Sequence, residues 1–376
     1  MGQHQEPSAE ELEQRRRVGV NFETVTNVSS TDFPGHWPHE NHAWSLQKFR
    51  DTFRVEFHDI PDPLNICFSL IGLDASIANA FRRILLAEVP TLAIEFVFIH
   101  NNTSIVQDEV LAQRLGLVPL KGNKAGLDWL RWFKKPTEDE PEGTVPSDYN
   151  TVVLKLKVQC TKNENAKKGE NDPTKLYNNA HVYASSLEYE VSGRQDEFFS
   201  KPDDMIAPTN PDILLAKLRP GQELDLEMHC IKGIGADHAK FSPVATASYR
   251  LLPTIDITQP ILGKDAEKFA RCFPRGVIGL EKVTAKEAAV KGSAYEGRAG
   301  DSKAVVKNTF RDTVSRECLR HTEFKDKVKL GRIRDHFIYS VESTGQFDSE
   351  VLFLESVKIL KAKCERLKRD LSTVIR

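Results

Sequence analysis

Alternating hydrophobic and polar positions predict β-strands near both ends of the chain. Val55 and Phe57 alternate with polar neighbours, and the pattern returns at 66–70 after a proline-rich turn. The same alternation occurs at 337–341, shortly before the C-terminus. Because successive side chains of a strand point to opposite faces, each of these segments is typical of a strand with one buried face.

Two further segments have apolar residues at helical spacing. The first follows Asp74 and Ser76, either of which can cap a helix, and Pro90 ends it. Its apolar face consists of Ile77, Ala80, Phe81, Ile84 and Leu85. A stripe of this kind predicts an amphipathic helix that packs against another structural element.

The second helical segment extends from Asp348 to Leu371, with basic residues near its end that match the helix dipole. Its apolar positions, spaced alternately by four and three, are Phe353, Val357, Leu360, Cys364, Leu367 and Leu371. This spacing is that of a coiled-coil seam, and burying it would contribute about 7–15 kcal/mol. Periodicity alone slightly favours packing on the chain's own sheet, whereas the terminal position favours a partner helix.

The middle of the chain is rich in strands and polar loops. Apolar and polar residues alternate along most of 152–158 and throughout 224–230, and 134–148 is rich in Pro, Glu and Asp. Since two similar α+β segments flank this middle, we predict an α+β fold in which an inserted β-rich domain interrupts a domain made of a sheet and two long helices. The predicted divisions are an extended arm at 1–45, the interrupted domain at 46–119 and 306–376, and the insertion at 120–305.

The composition excludes several classes of function. With 376 residues, 40% hydrophobic and 28% charged, the chain is typical of a soluble protein of two or three domains. A balance of 52 basic against 54 acidic residues disfavours a free-standing nucleic-acid-binding protein. No apolar run reaches the ~20 residues that span a bilayer. No secretory leader is evident, and none of the six cysteines forms a C-x-x-C pair, which indicates a reducing compartment.

A group of histidines is the best candidate for a metal site. His36, His39 and His42 are spaced by three, with Glu40 between them. Zinc accepts imidazole nitrogen, but this stretch contains a proline and offers no thiolate. The alternative is a polar loop beside two tryptophans.

The segment GIGADHAKFSPV, at 233–244, is the best candidate for other chemistry. His238 and Lys240 could form a catalytic pair, or the segment could be a structured loop that docks on a partner. The chain has no phosphate-binding glycine loop, no complete dinucleotide fingerprint and no nucleophile elbow.

Three stretches resemble one protein family. They are LDASIANAFRRILLAEVPTLAIEFVFIHNNTS (73–104), DEVLAQRLGLVPL (108–120) and GIGADHAKFSPVATASY (233–249). All three are similar to the alpha-like subunits of cellular RNA polymerases, a family that includes bacterial alpha and its archaeal counterpart. Within it, the chain most resembles the larger alpha-like subunit shared by eukaryotic RNA polymerases I and III. Gln113 departs from the family, in which histidine is common at this position.

The resemblance implies a heterodimer. The interrupted domain would be the dimerisation domain, and its two helical stripes would pair with the smaller alpha-like subunit. Arg82 and Arg83 match a family pair that faces the large subunit in bacterial relatives. The insertion would contact the second-largest subunit and small zinc-binding subunits. Its docking loop would consist of His238, Lys240, Phe241 and Pro243.

The resemblance also implies a role in assembly rather than catalysis, since the aspartate triad that holds magnesium belongs to the largest polymerase subunit. We expect a nuclear protein, in nucleolus and nucleoplasm, that serves rRNA, tRNA and 5S RNA synthesis without binding DNA sequence-specifically or entering a membrane. We expect no cofactor and no metal, because Cys160, Cys230 and Cys272 lack the cluster spacing of some archaeal and polymerase II relatives.

Three alternatives stay open at this level. The chain could be the alpha-like subunit of another nuclear polymerase. It could be a stand-alone enzyme that uses His238 and Lys240, in which case His238→Ala would abolish its activity. It could also be a direct nucleic-acid-binding module, whose affinity for DNA would fall steeply with salt.

Overall fold

The computed structural model describes residues 8–28, 43–134, 145–167, 169–202 and 204–374. Helices and strands are both abundant in these ranges, which confirms the predicted α+β class.

The helices are α1 Ala9–Arg16, α2 Leu46–Thr52, α3 Ala75–Ala87, α4 Asp108–Gly116, α5 Lys124–Trp129, α6 Pro173–Leu176, α7 Asp196–Phe199, α8 Lys264–Arg271, α9 Ala285–Ala288, α10 Thr322–Lys325 and α11 Ser349–Val374. The strands are β1 Arg17–Val20, β2 Val25–Thr26, β3 Arg54–Asp62, β4 Asn65–Ile71, β5 Thr91–Asn102, β6 Leu120–Lys121, β7 Val152–Gln159, β8 Thr161–Lys162, β9 Tyr177–Asn178, β10 His181–Tyr183, β11 Glu188–Glu190, β12 Ala207–Pro208, β13 Leu214–Lys217, β14 Glu223–Gly233, β15 Val244–Ile257, β16 Ile278–Lys282, β17 Ser302–Val306 and β18 Val328–Ser343.

Contacts between residues divide the chain into two units. The first comprises 1–58, 68–78 and 249–339, and the second comprises 59–67, 79–248 and 340–376. These units do not coincide with the predicted domains at 46–119, 306–376 and 120–305. The predicted domain division was inferred from two similar α+β segments around a β-rich middle, and it stays a prediction.

The first unit is organised on a sheet with strand order β2-β1-β18-β4-β3, in which β15 also pairs with β18. At its centre the rings of Phe68 and Tyr339 stack with centroids 5.4 Å apart. The Tyr339 hydroxyl donates a hydrogen bond to the carbonyl of Ala78 near the start of α3. Phe269 of α8 and Phe324 of α10 fill a second cluster beside the β16–β17 pair.

Residues 9–26 correct the extended arm that we predicted for 1–45. They form α1, β1 and β2, and β1 pairs antiparallel with β18. The reason is that Val18 and Val20 bury their side chains, while Arg16 Nε donates to Asp335 Oδ1 at 2.9 Å.

The second unit contains an antiparallel sheet of order β11-β7-β14-β5. The alternation in β14 is the predicted one: Leu224, Leu226, Met228 and Cys230 are buried, and the residues between them are more exposed. Helix α4 covers this buried face with Leu111 and Leu115.

A buried serine in the first unit links two histidines. Ser69 is fully buried, and its Oγ lies 2.6 Å from His58 Nε2 and 2.9 Å from His336 Nε2. Burial lowers the pKa of His336 below its ordinary value, because the charged imidazolium loses hydration. As the pH falls, the unfolded chain therefore takes up this proton before the folded chain does.

We expect this histidine to make the free energy of unfolding depend on pH. Stability should be fully present above the unfolded pKa of about 6.5, and should decrease as the pH falls from there towards the lower folded-state pKa. His336→Gln keeps a donor for Ser69 but cannot titrate. When the free energy of unfolding is measured with urea at a series of pH values, it should therefore change less steeply with pH in this variant than in the wild type. Equal slopes in the two proteins would contradict this assignment.

Candidate functional site

Helix α11 is anchored at its first residue. Ser349 is fully buried, and its Oγ donates to the carbonyl of Leu64 at 2.5 Å. Leu352 and Ser356 are also fully buried, so one face of the first two turns packs inside the second unit. Phe353 meets Phe81 of α3 edge to face, with ring centroids 5.4 Å apart.

The side chains in the second half of α11 are exposed to solvent, and we call this half of the helix and its seam positions bare. Every residue from Lys361 to Thr373 is exposed, including Leu367 at 61% and Leu371 at 60%. The seam predicted from the sequence therefore contacts its own chain at Phe353, is already exposed at Val357, and lies in water from Cys364 to Leu371. Fully burying a leucine contributes about 1.5–3 kcal/mol, so these side chains are an unused source of binding free energy.

The residues predicted for the dimer interface fall into two groups. Ile84 and Leu85 are buried in the chain itself, so they support α3 and offer no side-chain surface. The others retain surface. They are the partly buried Ala80, Phe81, Phe353 and Leu360, and the exposed Ile77, Val357, Cys364, Leu367 and Leu371.

An ion pair links α11 to the residue just after α3, and the sequence did not predict it. Lys363 of α11 donates to the carboxylate of Glu88, just after α3, at 2.7 Å. The contact with Phe353 lies earlier on both helices, so α3 and α11 run in the same direction. Pairing over 275 residues leaves no signal in local periodicity, so only the structure reveals it.

The adjacent arginines differ in exposure. Arg82 is partly buried and donates to Asn79 Oδ1 from Nε at 3.1 Å and from Nη2 at 3.0 Å. Arg83 is exposed. The first guanidinium is therefore held against its own helix, whereas the second is available to another molecule.

The loop between β14 and β15 is fixed to the end of α3. Gly235 approaches Leu86 closely: a β-carbon on residue 235 would lie 2.2 Å from the carbonyl oxygen of Leu86. The next residue, Ala236, donates from its backbone to Ala87 at 2.8 Å. Within the loop, Phe241 and Pro243 are buried.

The predicted pair His238 and Lys240 makes contacts within this loop and with β5. Lys240 Nζ lies 2.6 Å from Glu95 Oε2 and donates to the Ile94 carbonyl at 2.7 Å. His238 is exposed, and its Nδ1 accepts a hydrogen bond from the Lys240 backbone at 3.1 Å. A cleft of about 250 Å³ beside them is also lined by Glu109 and by Gln113.

The described residues contain no group of three or more His, Cys, Asp or Glu side chains arranged to hold a metal ion. The histidine candidates His36, His39 and His42, with Glu40, lie outside the described ranges. Burial raises the pKa of the Cys160 and Cys230 thiols, so both stay protonated. In the part of the chain that the structure covers, no helix is long and apolar enough to cross a membrane.

Comparison with known proteins identifies the family. A family model described as the RNA polymerase Rpb3/Rpb11 dimerisation domain matches residues 67–364. Subunit RPAC1 of DNA-directed RNA polymerases I and III from Saccharomyces cerevisiae is 52% identical over 351 residues, which cover 93% of this chain and 97% of the relative. The RPAC1 subunit of Mus musculus is 47% identical over 96% of this chain and 97% of its own length. Subunit 3B of polymerases IV and V from Arabidopsis thaliana is 32% identical over 82% of this chain and 88% of its own length. These matches confirm the resemblance found in the sequence, and the chain belongs to the RNA polymerase Rpb3/Rpb11 dimerisation family.

Proposed function

We propose that this chain is the non-catalytic assembly subunit shared by DNA-directed RNA polymerases I and III. It would pair with the smaller alpha-like subunit and form a platform for the large subunits. The observation that carries the proposal is the bare second half of α11, because a dimerisation family explains a leucine stripe left in water. The relatives support the choice of polymerases: within Dictyostelium discoideum, the polymerase I and III subunit is 35% identical to this chain, against 29% for the polymerase II subunit.

The partner surface would combine both helices. Side chains of α11 that project beyond the chain's own core, above all Leu360, Leu367 and Leu371, would insert between side chains of a partner helix. The exposed Ile77 would extend this apolar surface along α3. Ile84 and Leu85 would act indirectly, because they hold α3 in place from the inside.

Contacts with the other subunits would use different surfaces. Arg82 and Arg83 would face a large subunit, with the exposed Arg83 as the principal contact. The loop with His238, Lys240, Phe241 and Pro243 would dock on a further subunit, and its buried Phe241 and its ion pair to Glu95 would keep the loop in one conformation. The second-largest subunit and small zinc-binding subunits are the proposed partners. The protein would work in the nucleus, including the nucleolus, in rRNA, tRNA and 5S RNA transcription.

The seam can be tested directly. Leu360→Asp with Leu367→Asp replaces burial of two leucines by burial of two carboxylates, so we expect binding of the smaller alpha-like subunit to weaken at least about 100-fold. Co-expression, co-purification and sizing of the full-length proteins measure this loss. Circular dichroism should show that the rest of the chain remains folded.

A matched control lies on the opposite side of the same helix. Ala362→Asp with Arg369→Asp changes two exposed positions that are also seven residues apart but lie off the seam. This variant should co-purify with the partner like the wild type. Unchanged co-purification of the Leu360/Leu367 variant would refute the proposed heterodimer interface.

A change at Arg83 should distinguish binding of a large subunit from formation of the heterodimer. Arg83→Glu reverses an exposed charge outside the seam, so the heterodimer should form normally while recovery of the second-largest subunit falls about ten-fold. Quantitative mass spectrometry of the purified complexes gives both ratios. Lys217→Glu, an equal charge change at another exposed position, serves as the control. Equal recovery with all three proteins would show that Arg83 makes no such contact.

A further inference from the structure

The charges beside the bare seam differ between its two flanks. Residues immediately after the seam positions Leu360 and Leu367 are Lys361 and Lys368, which we call the lysine flank. The opposite flank, immediately before the next seam positions, carries Lys363 and Asp370. In a coiled coil these flanking positions face the charged residues of the partner and determine which partner binds.

The opposite flank already has acidic partners within the chain or an acid of its own. Lys363 is paired with Glu88 at 2.7 Å. Asp370 lies 3.9 Å from Arg366. The pair between Lys363 and Glu88 shows how an acidic residue of a neighbouring segment meets a flanking lysine of α11.

The lysine flank has almost no such compensation. The nearest acid to Lys361 is Glu365 on the same helix, at 3.9 Å, and the Lys361 side chain is 74% exposed. Among the described residues, Lys368 makes no ion pair of 4.0 Å or less. Two like charges one heptad apart thus border a leucine stripe, and among the described residues their only acidic neighbour within 4.0 Å is Glu365, which is itself exposed on the same helix.

We propose that this flank selects a partner helix with an apolar stripe bordered by two acidic residues, Asp or Glu, seven positions apart. The inference rests on the proposed heterodimer and specifies the chemistry of its partner helix. Glu88, just after α3, supplies an acid to the opposite flank, so the partner's acids lie on the side away from Glu88. A helix with basic or neutral residues at those positions would leave the two lysines without counter-charges, which disfavours wrong partners.

Charge reversal tests this flank in the full-length chain. Lys361→Glu with Lys368→Glu should weaken binding of the smaller alpha-like subunit about ten-fold at low salt, since two attractive pairs become repulsive. The difference from wild type should shrink at about 1 M salt, where the Debye length is about 3 Å. Replacing the partner's two acidic flanking residues by lysine should restore binding to this variant and weaken binding to the wild type.

The matched control has the same net charge change off the seam. Arg366→Glu with Arg369→Glu also reverses two exposed basic residues, and it should bind the partner within about two-fold of wild type. Equal weakening by both double variants would overturn the lysine flank, because net charge alone would then account for the effect.

Three further outcomes distinguish the role of the lysine flank from that of the leucine seam and from binding of nucleic acid. If Lys361→Glu/Lys368→Glu binds normally while Leu360→Asp/Leu367→Asp does not, the lysine flank is wrong and the proposed heterodimer stands. If neither variant loses the partner, both proposals fail. If the lysine variant loses affinity only for a duplex DNA oligonucleotide and not for the partner, the flank contacts phosphate and the acidic-helix proposal is overturned.

Discussion

The burial of one apolar stripe along α11 is the constraint on which the rest of the molecule depends. A helix of this length cannot leave several leucines in water at no cost, since burying each one contributes about 1.5–3 kcal/mol. The structure buries Leu352 and packs Phe353 on α3, while Leu367 and Leu371 remain exposed. The anchored end fixes the direction of the helix, and the other end leaves its leucines exposed to solvent.

Helical periodicity predicted this stripe but not its division between core and surface. The same spacing of three and four residues results whether a side chain faces its own sheet or a partner helix. Ile84 and Leu85 satisfy the pattern as well as Ile77 does, yet only Ile77 is exposed. The strands of the second unit were predictable because strict alternation in β14 has one meaning, a strand with one buried face.

Long-range pairs explain what else the sequence could not supply. Residues 9–26 looked like part of a polar arm, because only the distant β18 provides the edge on which Val18 and Val20 become buried. The catalytic pair considered for His238 and Lys240 also overlooked a distant residue, because the sequence does not show that Glu95 lies beside Lys240. Since Glu95 lies 2.6 Å from Lys240, the ammonium is held as half of a largely buried ion pair, and removing Glu95 would take this counter-charge away from the ammonium.

The same charges allow the bare half of α11 to exist before it is covered. Each exposed leucine of α11 lies within one turn of a lysine or arginine, and side chains of these two types can cover apolar surface with their stems while their charged heads stay in water. Contacts along the helix at i and i+4, such as Arg366 with Asp370, favour the helical conformation slightly. On the proposed heterodimer, the basic side chains that make the free subunit soluble are therefore the ones that an acidic partner helix would neutralise on binding. Solubility of the free chain and selection of its partner would then depend on one set of residues.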